Sequence, residues 1–436
     1  MNDGNPYRQY MYSYPHKTAY RSLAGVSLKT YAPYLAGQGH GLYLHLPFCR
    51  TKCGYCNLFS VTGQKKERID RYLKTVERQS RQYQEVLRPY KTVFSEIVIG
   101  GGTPLMLTEQ QLAGMFEILE NCFHFAEGRQ LMIETAPGET SREKLAILKA
   151  AKVTRISMGI QSFSDEELRT LRRHHSAGQA RKALAQIKEY NFPCVNVDFI
   201  YGIPGQTADS LLASLEEALC FEPEEIFLYP LYIKHGAKMQ KDLKEGMVLR
   251  PEAARTQYRE ACRYLRRKGF RQESMRRFVR DPQARIWSEC GFGASLALGC
   301  GGRSYLGNLH FCTPYAITKE DCLAQLDAYE CTDDFTEITH GILLSGEESR
   351  RRYVIRHLLI RPGLLLSEYK KRFGTCAMDD FPILKGWERE GFVRVEGAFL
   401  TMTDAGLELS DNLGPQLISN AVREKMEEWE RLYERT

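Results

Sequence analysis

The chain reads as an α/β protein: a partial (β/α)6 TIM-like barrel of parallel strands, then a smaller C-terminal α+β unit of winged-helix type. Three observations predict this. Between residues 41 and 232, short β-rich runs alternate six times with longer helical stretches. Glycine and proline gather directly after those runs, where a barrel of this kind collects its functional residues. From about residue 340 the order changes to helices followed by a hairpin of alternating faces.

The expected strands are Leu42–Leu46, Glu96–Ile99, Leu131–Glu134, Arg155–Met158, Val195–Ile200 and Ile226–Tyr229. The helical patterns between and after them are Arg68–Leu87, Glu109–Cys122, Arg142–Ala151, Asp165–Arg173, Ala177–Tyr190 and Asp209–Leu219. Six β-then-α units in series predict a parallel sheet with right-handed crossovers. Before Gly41 lies an irregular arm with Tyr7, Tyr10, Tyr12 and Tyr14, expected either to pack across the barrel mouth or to be poorly ordered. A helix over 251–268 and a glycine-dense segment Gly291–Gly307 extend the barrel. The C-terminal unit comprises helices Glu347–Ile360, Leu366–Phe373 and Phe381–Glu390, a hairpin over 391–403 and a last amphipathic helix over 416–432. The expected divisions are an arm at 1–40, the barrel at 41–235, its extension at 236–340 and the accessory unit at 341–436.

Composition narrows the function. Over 436 residues, 43% are apolar and 26% charged, the profile of a soluble globular protein with a large core. The net charge of +6 is mild and interleaved, which argues against a nucleic-acid surface. Residues 1–22 are polar and tyrosine-rich, unlike a secretory signal, and no apolar run approaches the ~20 residues of a membrane span. Thirteen cysteines without a regular framework point to reduced thiols and a cytoplasmic location.

Three of them, Cys49, Cys53 and Cys56, stand as C-x3-C-x2-C in one loop. Structural zinc sites and electron-transfer iron–sulfur sites fill four positions from the protein. Three thiolates leave one iron of a cubane open to a small molecule. A zinc site completed by His45 is the bland alternative. Gly100-Gly101-Gly102-Thr103-Pro104 follows the second strand, where backbone amides can approach an amine or carboxylate without side chains in the way. Glu134 closes the third strand and Gln161 ends the fourth. Arg173, at a helix end, suits bidentate pairing with a carboxylate. Asp198 sits in an apolar run and needs a partner.

Tyr43-x-His45-x-Pro47-Phe48-Cys49-x3-Cys53-x-Tyr55-Cys56, the GGGTP run, Ser157-Met-Gly-Ile-Gln161-Ser-Phe163 and Asp198-Phe-Ile-Tyr-Gly-Ile-Pro-Gly-Gln-Thr207 occur in this order. Together they resemble the radical S-adenosylmethionine superfamily, in the branch of oxygen-independent coproporphyrinogen III oxidase and the related heme chaperones. The resemblance covers roughly residues 41–310 well and the C-terminal unit more loosely. It implies a [4Fe–4S] cluster on Cys49, Cys53 and Cys56, whose open iron chelates S-adenosylmethionine for reductive cleavage to a 5′-deoxyadenosyl radical. It implies further that Tyr43, Gly101, Gly102, Thr103 and Glu134 hold this cofactor. Tyr55 would lie near the adenine or the substrate, so that Tyr55 and Glu134 are the candidate catalytic residues. Gln161, Arg173 and Asp198 match positions that touch a second S-adenosylmethionine in the oxidase, so one or two molecules are expected. A flavodoxin or ferredoxin would supply electrons, and the substrate would be a tetrapyrrole or another carboxylated small molecule.

The departures concern the branch. Leu58 stands where the oxidase has a fourth cysteine, and Tyr14-Pro-His-Lys-Thr-Ala-Tyr20 is not the usual opening. The glycine segment carries Cys300 and Arg303. These departures suggest a separate subfamily, with a heme carrier as the second reading. His174, His175 and Cys300 are its candidate axial ligands.

Overall fold

The computed structural model describes residues 11, 13–234, 236–280 and 292–434. Tyr7, Tyr10 and Tyr12 of the arm, and Gly291 at the start of the glycine segment, lie outside the described residues. The chain forms two compact units. One joins Arg21–Ala261 to Gln283–Ile342; the other joins Met1–Tyr20, Cys262–Pro282 and Leu343–Thr436. The second unit therefore draws in segments that the expected divisions had placed with the arm and the barrel extension.

All six expected parallel strands are present in the first unit: His40–Leu46, Val93–Gly101, His124–Thr135, Arg155–Gln161, Cys194–Tyr201 and Glu225–Pro230. They lie side by side in sequence order, each parallel to the next. Each runs past the expected segment at one end or both, because ladder hydrogen bonds continue where the side-chain pattern no longer betrays a strand. Ser295–Leu298 adds a seventh parallel strand that the sequence did not announce, pairing Ser295 with Gly41 and Leu298 with Leu44. Its four residues lie between glycines, too short a run for a period to show. Ser304–Leu306 and Leu309–Phe311 extend the sheet antiparallel through a two-residue turn at Gly307, whose φ is 59°.

Strand alternation sorts this sheet into two faces. Leu42, Leu44, Leu46, Ile97, Ile99, Leu131, Ile133, Ile156, Met158, Val197 and Phe199 are buried. The intervening positions carry Tyr43, His45, Gly100, Glu134, Ser157, Gly159, Asn196 and Asp198. Period two thus confines the chemistry to one face. The connecting helices start at hydroxyl caps: Thr108 for Glu109–Cys122, Ser176 for Ala177–Glu189 and Thr207 for Ala208–Leu219, each in a reciprocal capping box.

The second unit carries helices Gly346–Leu358, Leu366–Phe373, Ala377–Asp380 and Ile383–Arg389 beside a three-stranded sheet of Leu364–Leu365, Phe399–Met402 and Val393–Glu396. This is the winged-helix order. Its core gathers Leu358, Tyr369, Leu384, Trp387, Leu400 and Leu413. The described part of the arm enters that same core through Met11, Tyr14 and Ala19, which neither expected alternative foresaw. The tyrosine ring is an apolar body with one polar tip, and the tip is satisfied: Tyr14 Oη donates to Glu348 and accepts from the amide of Ser419 at 3.2 Å. The last helix is shorter at its start than expected. Pro415 sits in a 3-10 turn over Gly414–Leu417, and the helix proper is Asn420–Glu434.

Candidate active site

The cysteine loop leaves the first parallel strand. Cys49 lies on a two-residue strand, Phe48–Cys49, paired in parallel with Val61–Thr62. Farther along, Gly54 N–H donates to Leu171 O at 3.0 Å and Gly54 O accepts from Met239 N–H at 2.8 Å. A Cβ at Gly54 would stand 2.8 Å from Met239 Cγ, so a glycine is what lets the clamp close. Cys49, Cys53 and Cys56 are free and partly exposed. Burial, with the nearby Cys53 adding to it, pushes the Cys49 thiol up and the Cys56 thiol up to about 11. Among the described residues no three His, Cys, Asp or Glu side chains are drawn together as a metal set. The donor chemistry nonetheless fits an iron–sulfur cluster: three soft thiols in one loop, close enough to oppose one another's ionisation, whose repulsion a cationic centre relieves.

The glycine triplet packs directly against this loop. Gly102 N–H donates to Leu46 O and Thr103 N–H to Phe48 O, both at 2.8 Å. Thr103 Oγ1 lies 3.7 Å from Cys49 Sγ. A Cβ on Gly102 would stand 2.5 Å from Phe48 O and 2.9 Å from Cys49 Sγ. Gly101 has φ 116° and donates its amide to Glu134 Oε2 at 3.0 Å. Glycines here make a surface with no side chains of its own between the thiols and Glu134.

Two carboxylates share the face beyond. Glu134 is pushed up to about 7, chiefly by burial, with Asp198 adding to the rise and the Gly101 amide opposing it. Asp198 is pushed up to about 6 by burial, against the hydrogen bond from Asn196. Asn196 Nδ2 reaches both Asp198 Oδ1 and Ser157 Oγ at 2.7 Å. Below them, Arg155 and Glu225 form a buried pair at 2.6 Å. Asn196 is two residues before Asp198 and so on the same face, the signal by which its role was readable. Arg155 and Glu225 are 70 residues apart, and nothing local links them.

Arg173 donates through Nη1 to Cys53 Sγ at 3.0 Å and through Nη2 to Gly159 O. Burial works against its charge, but Tyr55 and Cys53 hold it above the ordinary arginine value. Gln161 ends the fourth strand with φ 74°, beside Gly159, where a Cβ would meet Gln161 Nε2 at 2.7 Å. Tyr55 packs against Leu171, Ile200, Ile203, Leu231 and Met239, and burial raises its hydroxyl above the ordinary range. Tyr43 Oη meets His45 Nδ1 at 2.9 Å.

The geometry bears on two alternatives that were the lesser readings of the sequence. His45 cannot complete a zinc site as it stands, since Nδ1 meets Tyr43 and Nε2 meets Phe59 O at 3.0 Å. Of the candidate heme ligands, Cys300 is fully buried, and buried His175 spends Nε2 on Ile160 O at 3.1 Å. Only His174 is exposed.

A triad of loop cysteines, a glycine surface and two carboxylates at strand ends defines a class. Residues 43–218 match the radical SAM superfamily. Such a domain implies a [4Fe–4S] cluster and S-adenosylmethionine. The chain is 33% identical over 231 residues to the heme chaperone HemW of Mycobacterium tuberculosis (strain ATCC 25618 / H37Rv), covering 52% of this chain and 58% of that protein. It thus spans under two thirds of that relative's length. It is 27% identical to the heme chaperone HemW of Bacillus subtilis (strain 168), across 84% of this chain and 95% of that one. It is 25% identical to the oxygen-independent coproporphyrinogen III oxidase of Escherichia coli (strain K12), across 93% of each. The solved Escherichia coli coproporphyrinogen III oxidase superposes with a TM-score of 0.81 at 22% identity, covering 94% of this chain and 96% of that one, so the two share a fold. No helix among the described residues is long and apolar enough to cross a membrane.

Proposed function

We propose that this chain is a radical enzyme that cleaves S-adenosylmethionine and abstracts hydrogen from a carboxylated small molecule, of which a tetrapyrrole is the leading candidate. The observation that carries this reading is the contiguity of Cys49, Gly102 and Thr103 with Gly101 and Glu134. When bound, the cluster on Cys49, Cys53 and Cys56 supplies the electron that breaks the sulfonium bond. The protein's task is binding and orientation. Gly101 and Gly102 present bare backbone to the methionine end, and Glu134 receives its ammonium after giving up its proton. Asp198, steadied by Asn196, offers an acceptor to ribose hydroxyls or to a second cofactor molecule. Tyr55 closes the cysteine loop toward the apolar cluster around Met239 and keeps water from the reacting carbon.

The test is anaerobic. Protein reconstituted with iron and sulfide, reduced by dithionite, converts S-adenosylmethionine to 5′-deoxyadenosine and methionine, and Cys53→Ala abolishes the conversion. A second reading, a heme carrier that keeps the cluster, is favoured by the relatives named as heme chaperones and by Leu58, an exposed side chain in place of a fourth cysteine. Stoichiometric heme binding, with no cleavage in the presence of any candidate substrate, would decide for the carrier.

A further inference from the structure

Arg173 reaches the cysteine loop by a backbone device. The helix Asp165–Thr170 ends, Arg172 takes a left-handed φ of 54°, and the amide of Arg173 turns back to Leu168 O at 2.8 Å. In the same turn Leu171 O accepts the Gly54 amide at 3.0 Å. The residue after Cys53 is thus fastened two residues before Arg173, which sets the guanidinium against the thiol. Nη1 donates to Cys53 Sγ at 3.0 Å, Nη2 donates to Gly159 O, and Nε has no partner among the described residues. Gln161 lies over Gly159, with its Nε2 2.7 Å from where a Cβ would stand. Turn, loop and strand end fix the cation from three sides.

We infer that Arg173 is a positioning residue that raises the reduction potential of the cluster held by Cys53. This rests on the reading that the three cysteines hold a [4Fe–4S] cluster. Reduction from the 2+ to the 1+ state brings in one electron and makes no bond to the protein, and the added negative charge spreads over the sulfurs. A cation that donates N–H to one of those sulfurs stabilises the reduced state more than the oxidised one. Charge-assisted bonds are the stronger kind, and a half-buried one is little screened by solvent. Lysine keeps the charge without the planar fork that spans Cys53 and Gly159 at once.

The experiment is a potentiometric titration followed by electron paramagnetic resonance on anaerobically reconstituted wild type, Arg173→Lys and Arg173→Gln. Dithionite supplies the electrons, and iron and sulfide content is matched between samples. The expected midpoints fall in the order wild type, Arg173→Lys, Arg173→Gln. A wild-type midpoint in Arg173→Gln at full cluster content overturns the inference, even if affinity for S-adenosylmethionine drops. Should Arg173→Gln hold less cluster, Arg173→Lys decides alone: a lowered midpoint supports the inference and an unchanged one overturns it. Wild type that assembles no four-iron cluster refutes the proposed function and this inference together, whereas unchanged midpoints refute only the latter.

Discussion

Glu134 holds a proton up to about pH 7 that a solvated glutamate, with an ordinary value of 4.5, would long have released. Between those values the folded protein binds more protons than the unfolded chain, so stability falls as pH rises through this window. Asp198, pushed up to about 6 from 3.8, has the same sign over its own window. Glu134→Gln is therefore expected to flatten the pH dependence of denaturant midpoints between pH 4.5 and 7. The same carboxyl must be ionised to take an ammonium, so binding of S-adenosylmethionine should strengthen as pH rises toward 7 and then level. Loss of one charged hydrogen bond is worth ~1.5–3 kcal/mol, so Glu134→Gln should weaken that affinity by roughly 10- to 100-fold. Equilibrium dialysis at pH 6 and 8 checks both; equal affinities for variant and wild type at pH 8 would remove Glu134 from the site.

At the scale of elements, the site depends on how closely three backbone segments approach. The cysteine loop, the glycine triplet and the turn at Leu171–Arg173 meet through carbonyl–amide bonds, and Gly54 and Gly102 stand where a Cβ would collide. Gly102→Ala is the sharpest probe, because the obstacle is the Phe48 carbonyl, which cannot swing aside like a flexible side chain. Overpacking of this kind costs ~1–3 kcal/mol. It should also push Cys49 out of place, so reconstituted Gly102→Ala should bind less iron than wild type. Full iron content in a stably folded Gly102→Ala would contradict the geometry. At this scale the sequence was informative wherever a run was long. Leu131–Glu134 announced its strand and Asp198 its exceptional position, but Ser295–Leu298 was too short to show a period, and its partner strand lies over 250 residues away.

At the scale of the molecule, each unit has a polar fastening that sequence proximity does not suggest. In the C-terminal unit the arm is tied by Tyr14, Glu348 and Ser419, with Ser419 Oγ donating to Glu348 Oε1 at 2.6 Å. Tyr14→Phe keeps the ring in the core but removes the hydrogen bond to charged Glu348 and the acceptor of the Ser419 amide, a loss of at least ~1.5–3 kcal/mol. A denaturant titration followed by the fluorescence of buried Trp387 should register it. An unchanged midpoint would show that the arm is held by its apolar contacts alone. In the barrel-like unit, Arg155 of the buried pair with Glu225 favours the ionised form of both carboxylates, whereas Glu225 opposes ionisation of Asp198.

The sequence by itself determined the parallel units, the face on which the candidate site residues lie and the loop of three cysteines. Period two, helical period and cysteine spacing are local, and local patterns survive in a string of letters. Only the tertiary structure decided that His45 is committed to Tyr43 and Phe59, that the arm belongs to the C-terminal core, and that Arg173 rests on Cys53. Those outcomes depend on which of several competing donors and acceptors come within about 3 Å of each other. That distance is set by the packing of segments far apart in the chain. The glycines at 54 and 102 are visible in both descriptions, but the reason for them appears only once the neighbouring carbonyls and side chains are in place.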